Sequence, residues 1–408
     1  MTDTAIAAVP CGIDTVRVER VERLLEGAAD DELLRLFSAT ELEDAGTGRG
    51  RPASLAARFA AKEACLKLFP RETSLQLLEA GDFSVRRDNY GAPQIECSRR
   101  ARVVLGRHRI SRIVVSLTHD AERACAVTMV ERRPLPKAGA GKFLMRWLPL
   151  RRDIVIENLQ RVFGGRIPPA DIQHLAAAHY GHLSRLIVEF LSYPFVGAAK
   201  KLDMARVENL DALLEAHALG RGVLILTGHF GNFEVGTAAA LAQFPEAHGR
   251  FYFLRRPFKP RWLDNYVTNR FRKAGFGLIP KRGSLDWLLE RLGAGDLVVF
   301  PFDQYAAGRD GIRVDFFGEP AATFRSLALV AEASGAPVVP ASSWREPDGG
   351  HVLRFESALP PFVGEDFGEQ VKRNTRVYNE ALEELVVRHP EQWWWTHRRW
   401  KPGRSGRR

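Results

Sequence analysis

The chain has 408 residues, 45% of them hydrophobic and 26% charged, with a formal net charge of +10. That length suffices for roughly two or three domains with cores of their own, and the ordinary composition excludes fibrous, disordered and disulfide-stapled classes. The positive balance points to an acidic partner (nucleic acid, anionic lipid or acidic protein) without choosing among them.

Cys11, Cys65, Cys97 and Cys125 all lie in the first third and show no Cys-x-x-Cys spacing. They read as reduced, mostly buried thiols with no disulfide framework or zinc site. The opening, Met1 to Pro10, lacks the basic start and long apolar core of a signal peptide. No stretch approaches the roughly 20 apolar residues of a membrane span. The expectation is a cytoplasmic protein that at most lies on a membrane.

Cys11 to Val16 reads as a strand end leading into a helix. That helix has Val18, Val21, Leu24 and Leu25 on one face and Arg17, Arg20 and Arg23 on another. A second helix begins near Ser54, a suitable N-cap, and carries Arg58/Lys62 and Glu63/Lys67 at i,i+4 spacing. A carboxylate in an apolar helical stretch, with a cation one turn on, suits a site that binds metal and phosphate together. Two surface ion pairs would give the same spacing.

Arg58-Phe59-Ala60-Ala61-Lys62-Glu63-Ala64, taken with Gly12-Ile13-Asp14, resembles the double signature of 4'-phosphopantetheinyl transferases of the short holo-[acyl-carrier-protein] synthase type. Two more matches follow in order. Asn89-Tyr90-Gly91-Ala92-Pro93 is similar to the family's turn between strands. Ser116-Leu117-Thr118-His119-Asp120 is similar to its Ser-Leu-Ser-His-Asp, with Thr118 in place of serine. The resemblance runs over residues 10–131 and implies an α+β domain at 1–131. It implies that Asp14 and Glu63 hold Mg²⁺, that Lys62 and Lys67 meet phosphate oxygens of coenzyme A, and that Gly91 and Pro93 belong to the same cofactor site. His119 would meet the 3'-phosphate or nearby backbone, and Glu63 would act as base for the carrier-protein serine. Arg20 matches a family position that meets the acidic carrier protein. Single-unit members form trimers, which implies a homotrimer here.

Arg132 to Lys142 is rich in Pro, Gly and basic residues without hydrophobic period, as in a linker, and a second domain is expected over 143–408. Phe143 to Leu148 suits either a membrane surface or a helix docked on its own domain. Further on, the apolar run Val223 to Leu226 reads as a buried parallel strand that stops at Thr227-Gly228. His229 then lies on a turn before a helix-like Phe233 to Leu241. Ligands gather at the carboxyl ends of strands in open α/β sheets, which makes His229 a candidate base. Glu234 lies five positions on, which on one helix would be about 140° away. The two can meet only if His229 precedes the helix and Glu234 sits in its first turns. The carboxylate would then fix the imidazole tautomer, leaving the other nitrogen to take a proton from an alcohol.

Phe251 to Leu254 reads as a strand ending in Arg255 and Arg256, where a guanidinium could bind an acceptor phosphate. Asp296 to Phe302 is another buried strand, ending in Asp303-Gln304, which could complete the site or orient an active-site group. The closing block, His389 to Lys401, interleaves tryptophans with cations. That mixture suits the headgroup level of an anionic membrane or stacking on single-stranded nucleic acid, although some of the tryptophans must be core.

His229-Phe230-Gly231-Asn232-Phe233-Glu234 is the His-x4-Asp/Glu motif of glycerolipid and lysophospholipid acyltransferases, and it closely resembles the lipid A late acyltransferase branch. The helix Arg152 to Phe163, Arg255-Arg256-Pro257, Asp303-Gln304, Phe316 to Pro320, Ala336 to Pro340 and the closing block are similar to further blocks of that family, over about 146–401. The resemblance implies an α/β domain with a mostly parallel central sheet, so that the whole chain is α/β in class. It implies that His229 deprotonates a hydroxyl, that Glu234 orients His229, and that Asn232 or nearby backbone N–H groups stabilise the oxyanion. Arg256 and Asp303 would bind substrate, with no cofactor in this domain.

The expectation is a bifunctional enzyme. It would load phosphopantetheine from coenzyme A onto an acyl-carrier protein, and move an acyl chain from a thioester donor to a membrane lipid hydroxyl. It would use no nucleic acid and sit peripherally on the cytoplasmic face of the bacterial inner membrane. The rival readings are a first domain that only docks the carrier protein, and a second domain that is a thioesterase.

Overall fold

The computed structural model describes residues 10–244, 247–255, 259–280, 283–306 and 308–401. The chain divides into two compact units, Met1–Pro134 and Leu135–Arg408.

The first unit opens with β1 (Cys11–Arg17), α1 (Val18–Gly27), α2 (Asp30–Leu36), α3 (Ala39–Asp44) and α4 (Arg51–Leu66). It continues through α5 (Arg71–Leu77), β2 (Phe83–Arg87), β3 (Pro93–Cys97), α6 (Arg99–Arg107), β4 (Ile110–His119) and β5 (Arg123–Arg132). β1, β5 and β4 form an antiparallel sheet in that order, and β2–β3 is a separate hairpin. Helix α4 is alanine-rich on its buried side, where Ala56, Ala57, Ala60, Ala61 and Ala64 pack with Val16, Val115, Ala124 and Ala126. Small side chains let the helix lie close on the sheet. A Cβ at Gly12 would stand 2.0 Å from the Ala64 carbonyl oxygen, so any other residue there would lift β1 off α4. Strand side chains alternate, so Asp14 shares the helix-facing side with Gly12. The opposite face is open: Ile13, Val114 and Met129 are exposed, and Met129 pairs with both Cys11 and Val114. All four cysteines are free; Cys65 is buried, Cys97 and Cys125 are half-buried, and Cys11 is exposed.

The second unit begins with α7 (Gly141–Trp147), α8 (Arg152–Phe163), α9 (Pro169–Ser192), α10 (Ala198–Leu202), β6 (Ala205–Glu208) and α11 (Leu210–His217). There follow β7 (Val223–Thr227), α12 (Phe233–Leu241), β8 (Phe251–Arg255), α13 (Arg261–Lys273), β9 (Phe276–Pro280), α14 (Leu285–Gly293) and β10 (Leu297–Pro301). The chain closes through β11 (Gly311–Phe316), β12 (Glu319–Phe324), α15 (Ser326–Ser334), β13 (Val338–Arg345), β14 (His351–Phe355) and α16 (Phe367–Arg388). The main sheet is seven-stranded in the order β6-β14-β13-β7-β10-β8-β9, and it is mostly parallel; only β13–β14 pairs antiparallel. β7 up to Leu226 and the whole of β10 are apolar, and both strands are flanked by strands on both sides, which is why their sequences read as continuous apolar runs.

Part of the stretch expected as a linker belongs to the second unit: the Pro136 carbonyl meets His174 Nε2 at 2.8 Å, and α7 starts at Gly141. Phe143 and Trp147 remain 64% and 66% exposed. Among the described residues, no helix is long and apolar enough to cross a membrane.

The closing block is core rather than an outward-facing belt. Trp393, Trp395 and Trp400 are all buried. Asn158 of α8 donates to the carbonyls of Trp395 and His397, each at 2.8 Å.

Candidate active sites

In the first unit, the close seat of β1 on α4 brings Asp14 to Lys67, just past the helix end. Lys67 Nζ lies 2.8 Å from Asp14 Oδ1 and donates to the Ile13 carbonyl, also at 2.8 Å. Glu63 is half-buried on the same helix, one turn before Lys67. Asp14 and Lys67 thus form a partly solvated pair, with Glu63 one turn earlier on the helix. Among the described residues, no three His, Cys, Asp or Glu side chains gather as a metal cluster. Gly91 and Pro93 sit at the tip of the β2–β3 hairpin, whose turn is closed from within by Asp88. The Asp88 Oδ1 accepts from Tyr90 N and Ala92 N, and Gly91 takes a φ of +83°. His119 ends β4 and is exposed. Arg20 is exposed on α1, 5.7 Å above the Phe59 ring.

Lys62 stands elsewhere, and its expected phosphate role is corrected. Its side chain is 1% exposed and its Nζ lies 2.8 Å from Glu41 Oε2, with a further hydrogen bond to the Phe83 carbonyl. Glu41, itself 0% exposed, also accepts from Ser38 N and Val85 N, at 2.8 Å each. Burial lowers the Lys62 pKa, against the pull of Glu41. Lys62 is a structural partner with its donors committed inside the unit.

In the second unit, the parallel register of β7 with β10 places Thr227 opposite Pro301. His229 and Asp303 each follow two residues later, so equal offsets from paired strand ends bring them together. His229 Nδ1 lies 2.9 Å from Asp303 Oδ1, and His229 N donates to Asp303 Oδ2 at 2.8 Å. Trp393 Nε1 donates to the same Oδ2 at 3.0 Å. Gly228 is required for this approach, because a Cβ there would stand 2.8 Å from the Phe230 ring and 3.1 Å from Asp303 Oδ2. Asp303 is 1% exposed in its side chain and His229 26%. Burial alone would raise the Asp303 carboxyl, but the His229 imidazole and the converging donors outweigh it and hold the group well below the usual carboxylate range. The carboxylate therefore fixes the proton on Nδ1 and leaves Nε2 as the acceptor. Gln304 Nε2 lies 3.5 Å from that nitrogen, and the His397 ring centroid is 6.0 Å from that of His229. Burial lowers the His397 pKa and keeps its imidazole neutral near pH 7.

Behind the dyad lies an apolar cavity of about 380 Å³, reaching from Gly228, His229 and Phe233 past Ile225 and Phe253 to Leu297 and His217. It runs along the face of β7 and β10 from their carboxyl ends to their amino ends, about 13 Å at 3.3 Å per strand residue. An extended alkyl chain advances about 1.25 Å per carbon at ordinary bond lengths and angles. A chain of about ten carbons would therefore span that length.

A linkage follows from Asp303. Its pKa is depressed in the folded state relative to about 3.9 when unfolded. The ionised carboxylate therefore adds stability above that pH, and the contribution is lost as pH falls through the folded value. Urea unfolding of Asp303→Asn followed from pH 6 to pH 3 should show a flatter decline than the parent; parallel curves would contradict it.

A family model for bacterial lipid A biosynthesis acyltransferases matches residues 132–402. The chain belongs to this family. A second model, for the 4'-phosphopantetheinyl transferase superfamily, matches residues 10–131, so the acyltransferase is fused to a domain of that superfamily. The acyltransferase part is 27% identical over 252 residues to a phosphatidylinositol mannoside acyltransferase of Mycobacterium tuberculosis, covering 60% of this chain and 75% of that protein. It is 25% identical over 270 residues to the lipid A biosynthesis lauroyltransferase of Escherichia coli, covering 66% and 85%. The first unit is 40% identical over 122 residues to a holo-[acyl-carrier-protein] synthase of Treponema denticola, covering 29% of this chain and 95% of that protein. Among solved structures, a Helicobacter pylori holo-[acyl-carrier-protein] synthase in complex with coenzyme A is 28% identical with a TM-score of 0.25, covering 30% of this chain and 99% of that one. The chain is a transferase of both types.

Within the acyltransferase unit, three expected roles are corrected. Asp303, 1% exposed in its side chain and with both oxygens engaged by His229 and Trp393, holds the histidine and does not bind substrate. Glu234 does not orient His229: it lies in the first turn of α12 against α13, with its Oε1 2.7 Å from Arg270 Nε. Burial raises its pKa, and Arg270 pulls the other way. Asp303 from the neighbouring strand supplies the carboxylate instead. Asn232 is not open to an oxyanion. It is 3% exposed, its Oδ1 caps α12 by accepting from Val235 N at 3.1 Å, and its Nδ2 donates to Glu189 Oε2 at 2.8 Å. Arg256 lies outside the described residues; neighbouring Arg255 pairs with Asp264 and donates to Thr268 Oγ1 at 2.9 Å.

Glu189, Arg345, Gln392 and Trp393 were missed. Glu189 is clamped by Arg345, whose Nη2 donates to Oε2 at 2.5 Å. Gln392 accepts from Arg345 N at 2.8 Å and donates to its carbonyl at 2.9 Å, while the Gln392 carbonyl accepts from Gly231 N at 3.0 Å. Trp394 N donates to the His229 carbonyl at 3.1 Å. The turn that carries His229 is thus enclosed by α9, β13 and the closing block. Only the density of polar and aromatic residues in that block signalled it in the sequence.

Proposed function

We propose that the chain makes holo-acyl-carrier protein with its first unit and, with its second, transfers an acyl chain from a carrier thioester to the hydroxyl of a membrane lipid. The observation that carries the reading is the His229–Asp303 pair at the strand ends, opening onto an apolar cavity long enough for an acyl chain. His229 Nε2 takes the proton of the acceptor hydroxyl as the oxygen attacks the thioester carbonyl. Asp303 supports the imidazolium that forms. The Gln304 amide and the neutral His397 ring are the donors beside the developing oxyanion. Collapse breaks the C–S bond, and the imidazolium returns the proton to the departing thiolate. The relatives that act on lipid A and on phosphatidylinositol mannoside favour an acyl acceptor of glycolipid type. Such an acceptor places the enzyme on the cytoplasmic face of the bacterial inner membrane.

In the first unit, Mg²⁺ fits Asp14 and Glu63, which offer two hard carboxylates and leave the remaining positions to phosphate and water. When bound, the ion would neutralise charge on the pyrophosphate of coenzyme A. Lys67 meets phosphate oxygen once freed from Asp14, and Glu63 takes the proton of the carrier serine. The open face of β1, β5 and β4 is where the proposed homotrimer would close. Met129→Glu should then leave a monomer in sedimentation, whereas unchanged mass would count against the trimer.

The test uses apo-acyl-carrier protein, coenzyme A and Mg²⁺. Mass spectrometry should show phosphopantetheine added by the parent chain and no addition with Glu63→Ala, a loss of about 10³-fold or more if the residue is both ligand and base. Lys62→Gln should keep the addition in whatever fraction is folded. For the second unit, a cellular lipid profile of His229→Ala should lose one acyl chain from a single lipid class. Release of free fatty acid with candidate lipids present would mean that water is the acceptor.

A further inference from the structure

We infer that the outer face of α9, the turn after it and the start of α13 form the surface on which the acyltransferase unit rests on an anionic bilayer. Ile187, Val188 and Leu191 are 59%, 64% and 62% exposed along one side of α9, and Phe195 just beyond it is 89% exposed. The Tyr266 ring of α13 packs edge-on to Phe190 at 6.3 Å and is 43% exposed, while Trp262, one turn earlier, is 69% exposed. Six large apolar side chains in one neighbourhood form a patch rather than the scattered singles of an ordinary surface. Tryptophan and tyrosine with an apolar body and a polar tip suit the level of lipid headgroups.

Charge chooses the occupant. From Ile172 to Leu202 the sequence holds a single acidic residue, Glu189, and that one is turned inward against Arg345 and Asn232; Asp203 is exposed just beyond Lys201, and Asp264 of α13 is paired with Arg255. Arg185 and Lys200 are exposed, and Lys201 Nζ lies 4.9 Å from the centre of the Tyr193 ring. Cations rim an apolar centre, as binding to a negatively charged lipid surface requires. An acidic protein would call for the cations at the centre instead. The patch also adjoins the catalytic turn. On the inner side of the same helix, Glu189 holds Asn232, while the Phe190 carbonyl accepts from Arg270, which holds Glu234.

This inference rests on the acceptor being a membrane lipid, but its test reads binding without turnover. The full chain is mixed with vesicles of phosphatidylcholine alone or with about a third phosphatidylglycerol, and bound protein is measured by flotation. The parent should bind the anionic vesicles and release as salt rises. Leu191→Ser/Phe195→Ser should weaken binding at least tenfold, and Lys200→Gln/Lys201→Gln roughly 30-fold. Leu191, Phe195 and Lys200 are exposed and Lys201 is half-buried, and circular dichroism checks that both double variants fold. His229→Ala should bind as the parent does. Binding that the two double variants leave unchanged would overturn the assignment. So would a fall in sedimentation mass with Leu191→Ser/Phe195→Ser, which would mean that a second copy covers the face, or displacement of acyl-carrier protein instead of vesicles. Loss of acyl transfer to lipid with vesicle binding intact would count against the acceptor and leave the surface standing.

Discussion

Asp303→Asn should lower the turnover of acyl transfer by about 10³- to 10⁴-fold, the loss expected when the carboxylate beside a catalytic histidine becomes an amide. The parent carboxylate accepts from His229 N, His229 Nδ1 and Trp393 Nε1. An asparagine offers one oxygen and one NH₂ group to those three donors. If its oxygen stays with His229 N and Trp393, its NH₂ meets Nδ1 and drives the proton to Nε2, the nitrogen that must act as base. Donors on both sides of Oδ2 favour that arrangement. Glu234→Gln is the control. Glu234 pairs with Arg270 and does not touch the imidazole, and glutamine keeps an oxygen for Arg270, so the change should alter turnover less than tenfold, on the scale of one hydrogen bond of about 1 kcal/mol. Steady-state kinetics on both variants separate the two carboxylates. If Glu234→Gln is the dead enzyme and Asp303→Asn works, the dyad is assigned to the wrong residue.

The His-x4-Glu spacing invites the opposite prediction, and the reason it misleads is physical. Spacing along a chain shows which side chains share a helix face. It does not show which strand lies beside which. That His229 stands at the end of a buried parallel strand, before a helix, was legible from Val223 to Leu226 and the turn after them. That β10 is the neighbour of β7, ahead of β8, was not. The pairing left one readable trace: both strands are apolar runs followed at the same offset by a residue able to carry charge.

Asn232 illustrates a different limit. An asparagine opening a helix is a cap signal, and its position three residues before Val235 was enough to suspect one. The motif made it look available for catalysis, and only the arrival of Glu189 from α9 shows that both ends of the amide are used. Lys62 failed similarly. Ser38-x-x-Glu41 is a capping box visible in the sequence, and the structure has both of its hydrogen bonds. That the same glutamate also neutralises a lysine on α4 depends on how α3 packs. By contrast, the two units, the parallel sheet and the Asp14–Lys67 neighbourhood follow from local patterns and from family motifs spread along the chain.

Glu189 carries the second large effect. Arg345 is 5% exposed in its side chain, and Glu189→Ala would leave that guanidinium buried without its carboxylate, at a cost of about 3 kcal/mol or more. Glu189→Gln is the sharper probe, because it retains shape and changes only polarity. In the parent, Oε1 faces Arg345 Nε, while Oε2 accepts from both Arg345 Nη2 and Asn232 Nδ2. A glutamine has one oxygen for those three donors. Kept at the Oε2 place, the oxygen still serves Nη2 and Asn232, and the NH₂ is set against Arg345 Nε inside the fold. The expected result is a stability loss of about 1–3 kcal/mol with turnover little changed. Asn232→Ala removes the α12 cap and the donor to Glu189 together, so it should lower turnover by about ten- to a hundredfold as the turn bearing His229 shifts. Turnover equal to the parent's in Asn232→Ala would mean that the hydrogen bond between Asn232 and Glu189 does not hold the catalytic turn in place.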